Sequence, residues 1–321
     1  MRRREFFVGL TVALGASTPA YPQKRDLRRV GILMGGPSPP LQTLREALQG
    51  LGYREGENIS FEERFAQSSE ERYPALAADL VEGRADVIVT WGTPATLAAK
   101  RATSRIPIVM AAIGDPVAIG LVETLSRPGG NVTGLSTLNA ELESKRLEIL
   151  KELVPGLARV GVLTNATSAY AIDAVQRLRR DAKKMGFSVE EVAVSDRTDL
   201  GTKLGVLTQR RPDGIVVVGD SFLSAHHHPI AQAMADNRLP AIYAYREAAV
   251  GGGLIAYGTD YHELFRRAAG YIDRIFEGAK PGDLPIEQPT RFQLVINLKS
   301  AKALGLPVSP TLLARADEVI E

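Results

Sequence analysis

The sequence predicts an α/β protein of two similar lobes, each a mainly parallel sheet flanked by helices, joined by a hinge that the chain crosses several times. Three observations predict it. Short apolar runs bounded by glycine alternate with amphipathic helical patterns along most of the chain. The order of these landmarks in the first half recurs in the second. The 321 residues also exceed what one hydrophobic core usually serves.

Arg29 to Met34 is an apolar run ending in Gly35-Gly36, as suits a buried strand followed by a tight turn. Leu41, Leu44, Leu48 and Leu51 then mark one face of a helix that stops at Gly52. Asn58 to Arg64 reads as a strand, and Tyr73, Leu76, Ala77 and Leu80 open a second helix. Asp86 to Gly92 is another buried strand. Thr93-Pro94 starts a helix, with threonine as cap and proline in its first turn. Ile106 to Ile113 is a fourth strand, ending in Gly114-Asp115-Pro116.

In the second half, Arg159 to Thr164 echoes the first strand, and the helix through Ala171, Val175, Leu178, Ala182 and Met185 stops at Gly186. Asp213 to Gly219 echoes the strand from Asp86, and Leu239 to Tyr243 echoes Ile106 to Met110. Four echoes in register favour two lobes over one large sheet, and parallel crossovers place helices on both faces of each. The join is expected near Pro128 to Gly134. Further crossings are expected at Gly251-Gly252-Gly253 and around Pro281 to Pro289.

The first residues carry an address. Arg2 to Arg4 precede an uncharged apolar run from Phe6 to Ala16, and Thr18-Pro19-Ala20 offers a small-residue cleavage site. Residues 1–20 therefore read as an export signal, with cleavage as late as about residue 23, and Arg3-Arg4 resembles a twin-arginine signal. A membrane anchor is the competing reading, but such a run rises only about 16 Å as a helix, half of a roughly 30 Å hydrocarbon core. The expected location is the periplasm, with the signal removed.

Of 39 basic and 37 acidic side chains, three and one lie in the first twenty residues, so the remainder is charge-balanced. No excess of either sign is left to attract nucleic acid or an anionic membrane. The chain has no cysteine, which excludes disulfides, thiolate metal sites, a cysteine nucleophile and lipid attachment through cysteine.

In parallel sheets ligands bind beyond the carboxyl ends of the strands, so two facing lobes would line a cleft with those ends. The candidates are Gly35, Gly36, Trp91, Thr93, Pro94, Gly114 and Asp115 from the first lobe, and Asn165, Asp220, Ser221, Tyr245 and Glu247 from the second. A helix starting at Thr93-Pro94 offers unpaired N–H groups and partial positive charge to a carboxylate or phosphate; alternatively Thr93 only caps its own helix. Asn165 has the same double reading. Asp220 and Glu247 could accept from a ligand ammonium, or pair with Arg246, or cap helices. Trp91, Tyr170, Phe222, Tyr243 and Tyr245 could wall a pocket or simply fill cores.

His226-His227-His228 lacks the spacing of a metal site and reads as a solvated helix start, and His262 reads as a surface residue. Nucleophile-elbow, metalloprotease, Walker and dinucleotide-binding patterns are all missing. The sequence thus calls for no catalytic residue, metal or cofactor.

Gly114-Asp115-Pro116-Val117, Gly120-Leu121-Val122, Pro128 to Gly134, Pro289 to Leu298 and Leu313 to Ile320 together resemble the ABC-transporter substrate-binding proteins of the tryptophan/tyrosine-binding type. The resemblance runs from about Arg29 to Glu321. It implies a periplasmic-binding-protein fold, with lobe 1 at residues 29–135 plus about 257–289 and lobe 2 at about 136–256 plus 290–321. It also implies a non-enzymatic, monomeric receptor that closes on a small molecule, an amino acid or related carboxylate, and presents it to an inner-membrane permease. The alternatives are a sensor subunit of the same fold and an exported hydrolase.

Overall fold

The computed structural model describes residues 27–67, 69–137, 139–289 and 291–321, so the export-type segment lies outside the described residues. The first lobe is built from β1 (Arg28–Met34), α1 (Pro39–Gly50), β2 (Ile59–Phe65), α2 (Tyr73–Glu82), β3 (Val87–Trp91), α3 (Thr93–Ala102), β4 (Ile108–Ile113) and β5 (Val132–Ser136). Among the described residues its strands form one parallel sheet in the order β2-β1-β3-β4-β5. β3, β4 and β5 are buried along their whole length, the pattern of strands covered on both faces.

The chain then enters the second lobe through α4 (Asn139–Leu153), β6 (Arg159–Asn165), α5 (Ala169–Met185), β7 (Ser188–Val194), α6 (Leu200–Gln209), β8 (Gly214–Val217), α7 (Ser221–Ala225), α8 (His227–Asp236), β9 (Ala241–Tyr243), α9 (Arg246–Val250) and β10 (Ile255–Thr259). It returns to the first lobe as α10 (Tyr261–Phe276), and finishes in the second as β11 (Phe292–Asn297), α11 (Leu298–Leu304), α12 (Pro310–Ala314) and β12 (Glu318–Ile320). The second sheet runs β7-β6-β8-β9-β10-β11-β12. Its first five strands repeat the topology of the first lobe, and only β11 is antiparallel to its neighbour β10.

Helix α10 returns because Tyr261, Leu264, Phe265, Ala268, Ala269 and Ile272 form one apolar stripe. The stripe packs with Leu41, Leu44 and Leu48 of α1 into the apolar cluster on one face of the first sheet. Separate clusters on the two faces of the second sheet hold the other lobe together.

One predicted crossing is corrected and another is displaced slightly. β5 begins inside Pro128 to Gly134 and belongs to the first sheet, so the chain leaves that lobe just beyond this stretch, after Ser136. Gly251 to Gly253 is a turn inside the second lobe, because β10 stays in that sheet. Glycine is needed there for close packing: a Cβ at Gly253 would lie 2.6 Å from both Ala248 O and Tyr243 Cε2. The return falls instead at Asp260, whose carboxylate caps α10 by accepting from Glu263 N–H. Near Pro281 to Pro289 the chain does pass between lobes. Glu287 still pairs with Leu135, whereas Phe292 begins β11.

Candidate functional site

A sheet ordered β2-β1-β3-β4-β5 reverses its winding between β1 and β3, and such a reversal leaves a crevice beyond the strands' carboxyl ends. The second lobe has its reversal between β6 and β8. The two meet in a small interlobe crevice of about 40 Å³. Gly35, Gly36, Ser38 and Trp91 line it from the first lobe, and Ser221, Ser224, His227 and Glu247 from the second.

Five predicted site residues, Gly35, Gly36, Trp91, Ser221 and Glu247, therefore share one wall-to-wall space. The approach is close at Gly35, where a Cβ would lie 3.6 Å from Tyr73 Oη and 3.8 Å from Ser221 Oγ. At Gly92, φ is +90° and a Cβ would lie 3.4 Å from Ser221 Oγ. Gly92, not Thr93, is the N-cap of α3; Thr93 is its first helical residue, with Pro94 behind it. The turn into this helix needs positive φ, which glycine adopts without strain. Asp115 lies outside the crevice. Its Oδ1 accepts from Val117 and Ala118 N–H at 3.0 Å, closing the turn that begins at Gly114.

On the second lobe Asp220 is the N-cap of α7, its Oδ1 accepting from Phe222 N–H at 2.8 Å and Leu223 N–H at 3.2 Å. Asn165 Nδ2 donates to the same oxygen at 3.2 Å. Burial pushes the Asp220 carboxyl above its ordinary range, and the bonds from Leu223, Phe222 and Asn165 only partly offset it. Arg246 pairs with neither Asp220 nor Glu247: it forks onto Glu318, with Nε–Oε2 2.6 Å and Nη2–Oε1 2.7 Å. Burial would raise Glu247 as well, but the bond from His262 and the field of Arg246 hold it below its ordinary value.

His262, predicted at the surface, instead bridges the lobes. Its Nε2 lies 3.0 Å from Glu247 Oε1, while Nδ1 lies 2.7 Å from Thr43 Oγ1 on α1. In the histidine run, His226 caps α8, and His227 is half-buried with Nδ1 2.7 Å from Ser224 O. Burial lowers His227 from its ordinary value, favouring the neutral imidazole. Among the described residues no cluster of histidine, aspartate and glutamate could hold a metal ion.

Tyr245 is buried behind the crevice. Trp91 packs against it at 6.3 Å between ring centroids, against Tyr261 at 5.3 Å and against Phe265 at 5.4 Å. Tyr245 belongs to the second lobe by chain position but lies in the apolar cluster of the first. This cluster is the floor on which the lobes meet.

Sequence reasoning missed Glu70, Tyr73, Thr167 and His227. Glu70 of the first lobe lies 3.2 Å from the Thr167 hydroxyl of the second, a contact between residues far apart in the chain. Only the sequence neighbourhood of Thr167, two residues after Asn165 at a strand end, hinted at a site role. Burial raises Glu70 above its ordinary range by more than a bond from the Thr167 hydroxyl would lower it, and the nearby charge of Asp220 adds to the shift.

Two duplicated lobes, meeting carboxyl end to carboxyl end around one crevice, have the architecture of a small-molecule binding protein. Residues 39–320 match the family model of ABC transporter substrate binding proteins, and the chain belongs to that family. It is 30% identical over 261 residues to the "Tyrosine-binding protein" of Clostridioides difficile, spanning 81% of this chain and 75% of that one. It resembles the crystal structure of an ABC domain in complex with L-Trp from Streptococcus pneumoniae, with TM-score 0.82 and 27% identity over 92% of this chain and 100% of the other. A ligand-free, open structure of a substrate binding protein with adhesive properties from Clostridium difficile gives TM-score 0.62, also at 27% identity, over 92% and 99%. At equal identity this chain superposes better on the ligand complex than on the open form.

Proposed function

We propose that this protein is the extracytoplasmic solute receptor of an ABC importer, and that it binds an amino acid or related small carboxylate between its lobes for delivery to a membrane permease. The observation that carries the reading is the crevice, lined from both lobes at their equivalent switch points. The ligand carboxylate would meet the N–H groups at the start of α3, and its ammonium would meet Asp220 and Glu247. An aromatic side chain is supported by the Trp91–Tyr245–Tyr261 cluster and by the tyrosine and tryptophan named for two relatives. The export-type segment before residue 24 supports a periplasmic location, and the lack of cysteine supports release rather than lipid anchoring. Among the described residues no helix is long and apolar enough to cross a membrane.

A thermal-shift screen of L-tyrosine, L-tryptophan, other amino acids and small aromatic acids tests the reading, since a ligand that binds only the folded protein raises its apparent stability. At a hundredfold excess over Kd the gain is about 2.7 kcal/mol, several degrees in Tm for a chain of this size. A screen in which no amino acid or carboxylate moves the transition would refute the ligand class.

A further inference from the structure

The hydrogen-bond chain that joins the lobes at Glu70 has a proton-counting problem, and its solution predicts how the protein holds its ligand. Thr167 Oγ1 lies 2.8 Å from Asn165 Oδ1 and 3.2 Å from Glu70 Oε1. The orientation of the Asn165 amide is fixed at both ends: its Oδ1 accepts from Thr167 N–H at 3.0 Å, and its Nδ2 donates to Asp220 Oδ1 at 3.2 Å. Turning the amide over would set a donor against the Thr167 N–H and an oxygen against the Asp220 carboxylate.

The Thr167 hydroxyl therefore faces an acceptor in Asn165. A hydroxyl has one proton, and the shorter contact takes it. What Thr167 then presents to Glu70 is a lone pair, which an ionised carboxylate cannot satisfy but a carboxylic acid can.

We propose that Glu70 closes the cleft as a protonated acid, donating its proton to Thr167 Oγ1, so that shutting the lobes around a ligand takes up a proton from solvent. The proposal rests on the solute-receptor reading above and adds a positioning residue to it. Glu70 acts through Thr167 and Asn165 on Asp220 rather than by touching the ligand.

The surroundings agree. Asp220 faces Glu70 across the closed cleft, and a second negative charge there would oppose closing. Tyr73 of α2 lies in the fields of both carboxyl groups and is itself raised, chiefly by burial. The nearest arginine in sequence, Arg72, is turned away, with Nη1 on Gln67 Oε1 at 3.0 Å and Ala66 O at 3.3 Å. Glu70 is thus raised in the closed form. The proton favours closing below a glutamate's usual 4.5, and that contribution is lost as pH rises through the raised value.

His262 and Glu247 are also ionisable side chains in contact between the lobes. The slope due to Glu70 is therefore the difference between wild type and Glu70→Gln. Glutamine keeps the shape and can always donate to Thr167.

The test has two readouts. Calorimetry of L-tyrosine and L-tryptophan in buffers of differing ionisation enthalpy counts protons taken up on binding. Interlobe distances between spin labels at Val117→Cys and Ile172→Cys, exposed on opposite lobes of a chain without cysteine, report closing with no ligand added. Wild type should close less favourably at pH 8 than at pH 5, because the proton held by Glu70 in the closed form is lost as pH rises through its raised value. Glu70→Gln should lose most of that slope and close at pH 8 as wild type does at pH 5, while Glu70→Ala should close poorly at both.

A Glu70→Gln protein that keeps the wild-type slope, or that is as impaired as Glu70→Ala, would overturn the proposal. If neither amino acid binds wild type, the ligand class proposed above fails, while the label distances still decide the role of Glu70.

Discussion

The two lobes share a strand order but line the crevice with different chemistry. The first lines it with Gly35, Gly36, Pro37, Ser38, Pro39 and Trp91, which bring no ionisable group. The second lines it with Ser221, Ser224, Ala225, His227 and Glu247, which bring an imidazole and a carboxylate. In the function proposed above, duplication sets where a ligand sits, and divergence of the strand ends sets which end of it each lobe receives, the carboxylate at the first and the ammonium at the second.

The lobes also differ inside. Among the described residues the first buries no charged side chain, whereas the second fully buries Glu143 and Arg146. Arg146 Nε donates to Tyr257 O at 2.7 Å, and Nη1 lies 2.6 Å from Glu143 Oε1. Glu143 Oε1 in turn accepts from Gly219 N–H at 3.1 Å, directly before Asp220. The pair ties α4 to β10 and to the strand end that carries the cap.

The largest effect is expected where this asymmetry is greatest. Arg146→Met leaves Glu143 buried without its countercharge, and should cost about 3–5 kcal/mol in denaturant unfolding. A loss under about 1 kcal/mol would mean that the pair is not the pin described.

Next comes Asp220→Asn, which keeps an N-cap of similar quality but removes the charge. It should weaken an amino acid by about 1.5–3 kcal/mol, the range for a hydrogen bond to a charged group, and spare the deaminated analogue. Equal losses for both would move the ammonium to Glu247.

The smallest effect belongs to the first lobe. Thr93→Val should cost about 1 kcal/mol of affinity if the hydroxyl meets the ligand carboxylate. Because Gly92 holds the cap position, helix stability should be nearly untouched, so this substitution separates binding from capping.

Much of the fold was legible because its signals are local. The helix stop at Gly186 is a left-handed residue with φ +88°, a conformation that glycine adopts freely, and the first strand of each lobe, β1 and β6, has seven residues. The crossings were less legible. Glycine at 251–253 marks a tight turn but says nothing of where the chain goes next, whereas the true return is a single aspartate cap at Asp260.

In the crevice, Gly35, Gly36, Trp91, Ser221 and Glu247 could be named from their places at or after strand ends. Glu70 and His262 could not, because each acts on a partner in the other lobe and no local pattern encodes that meeting. Tyr73 was read as the start of a helix stripe, which it is, but its hydroxyl also reaches the glycine turn after β1.

The central claim is that these lobes open and shut on a small solute. Small-angle scattering with and without saturating L-tyrosine or L-tryptophan measures this directly. The account predicts a smaller radius of gyration in the bound protein and a bound profile that fits the closed structure described above. Saturated binding with an unchanged profile would contradict it.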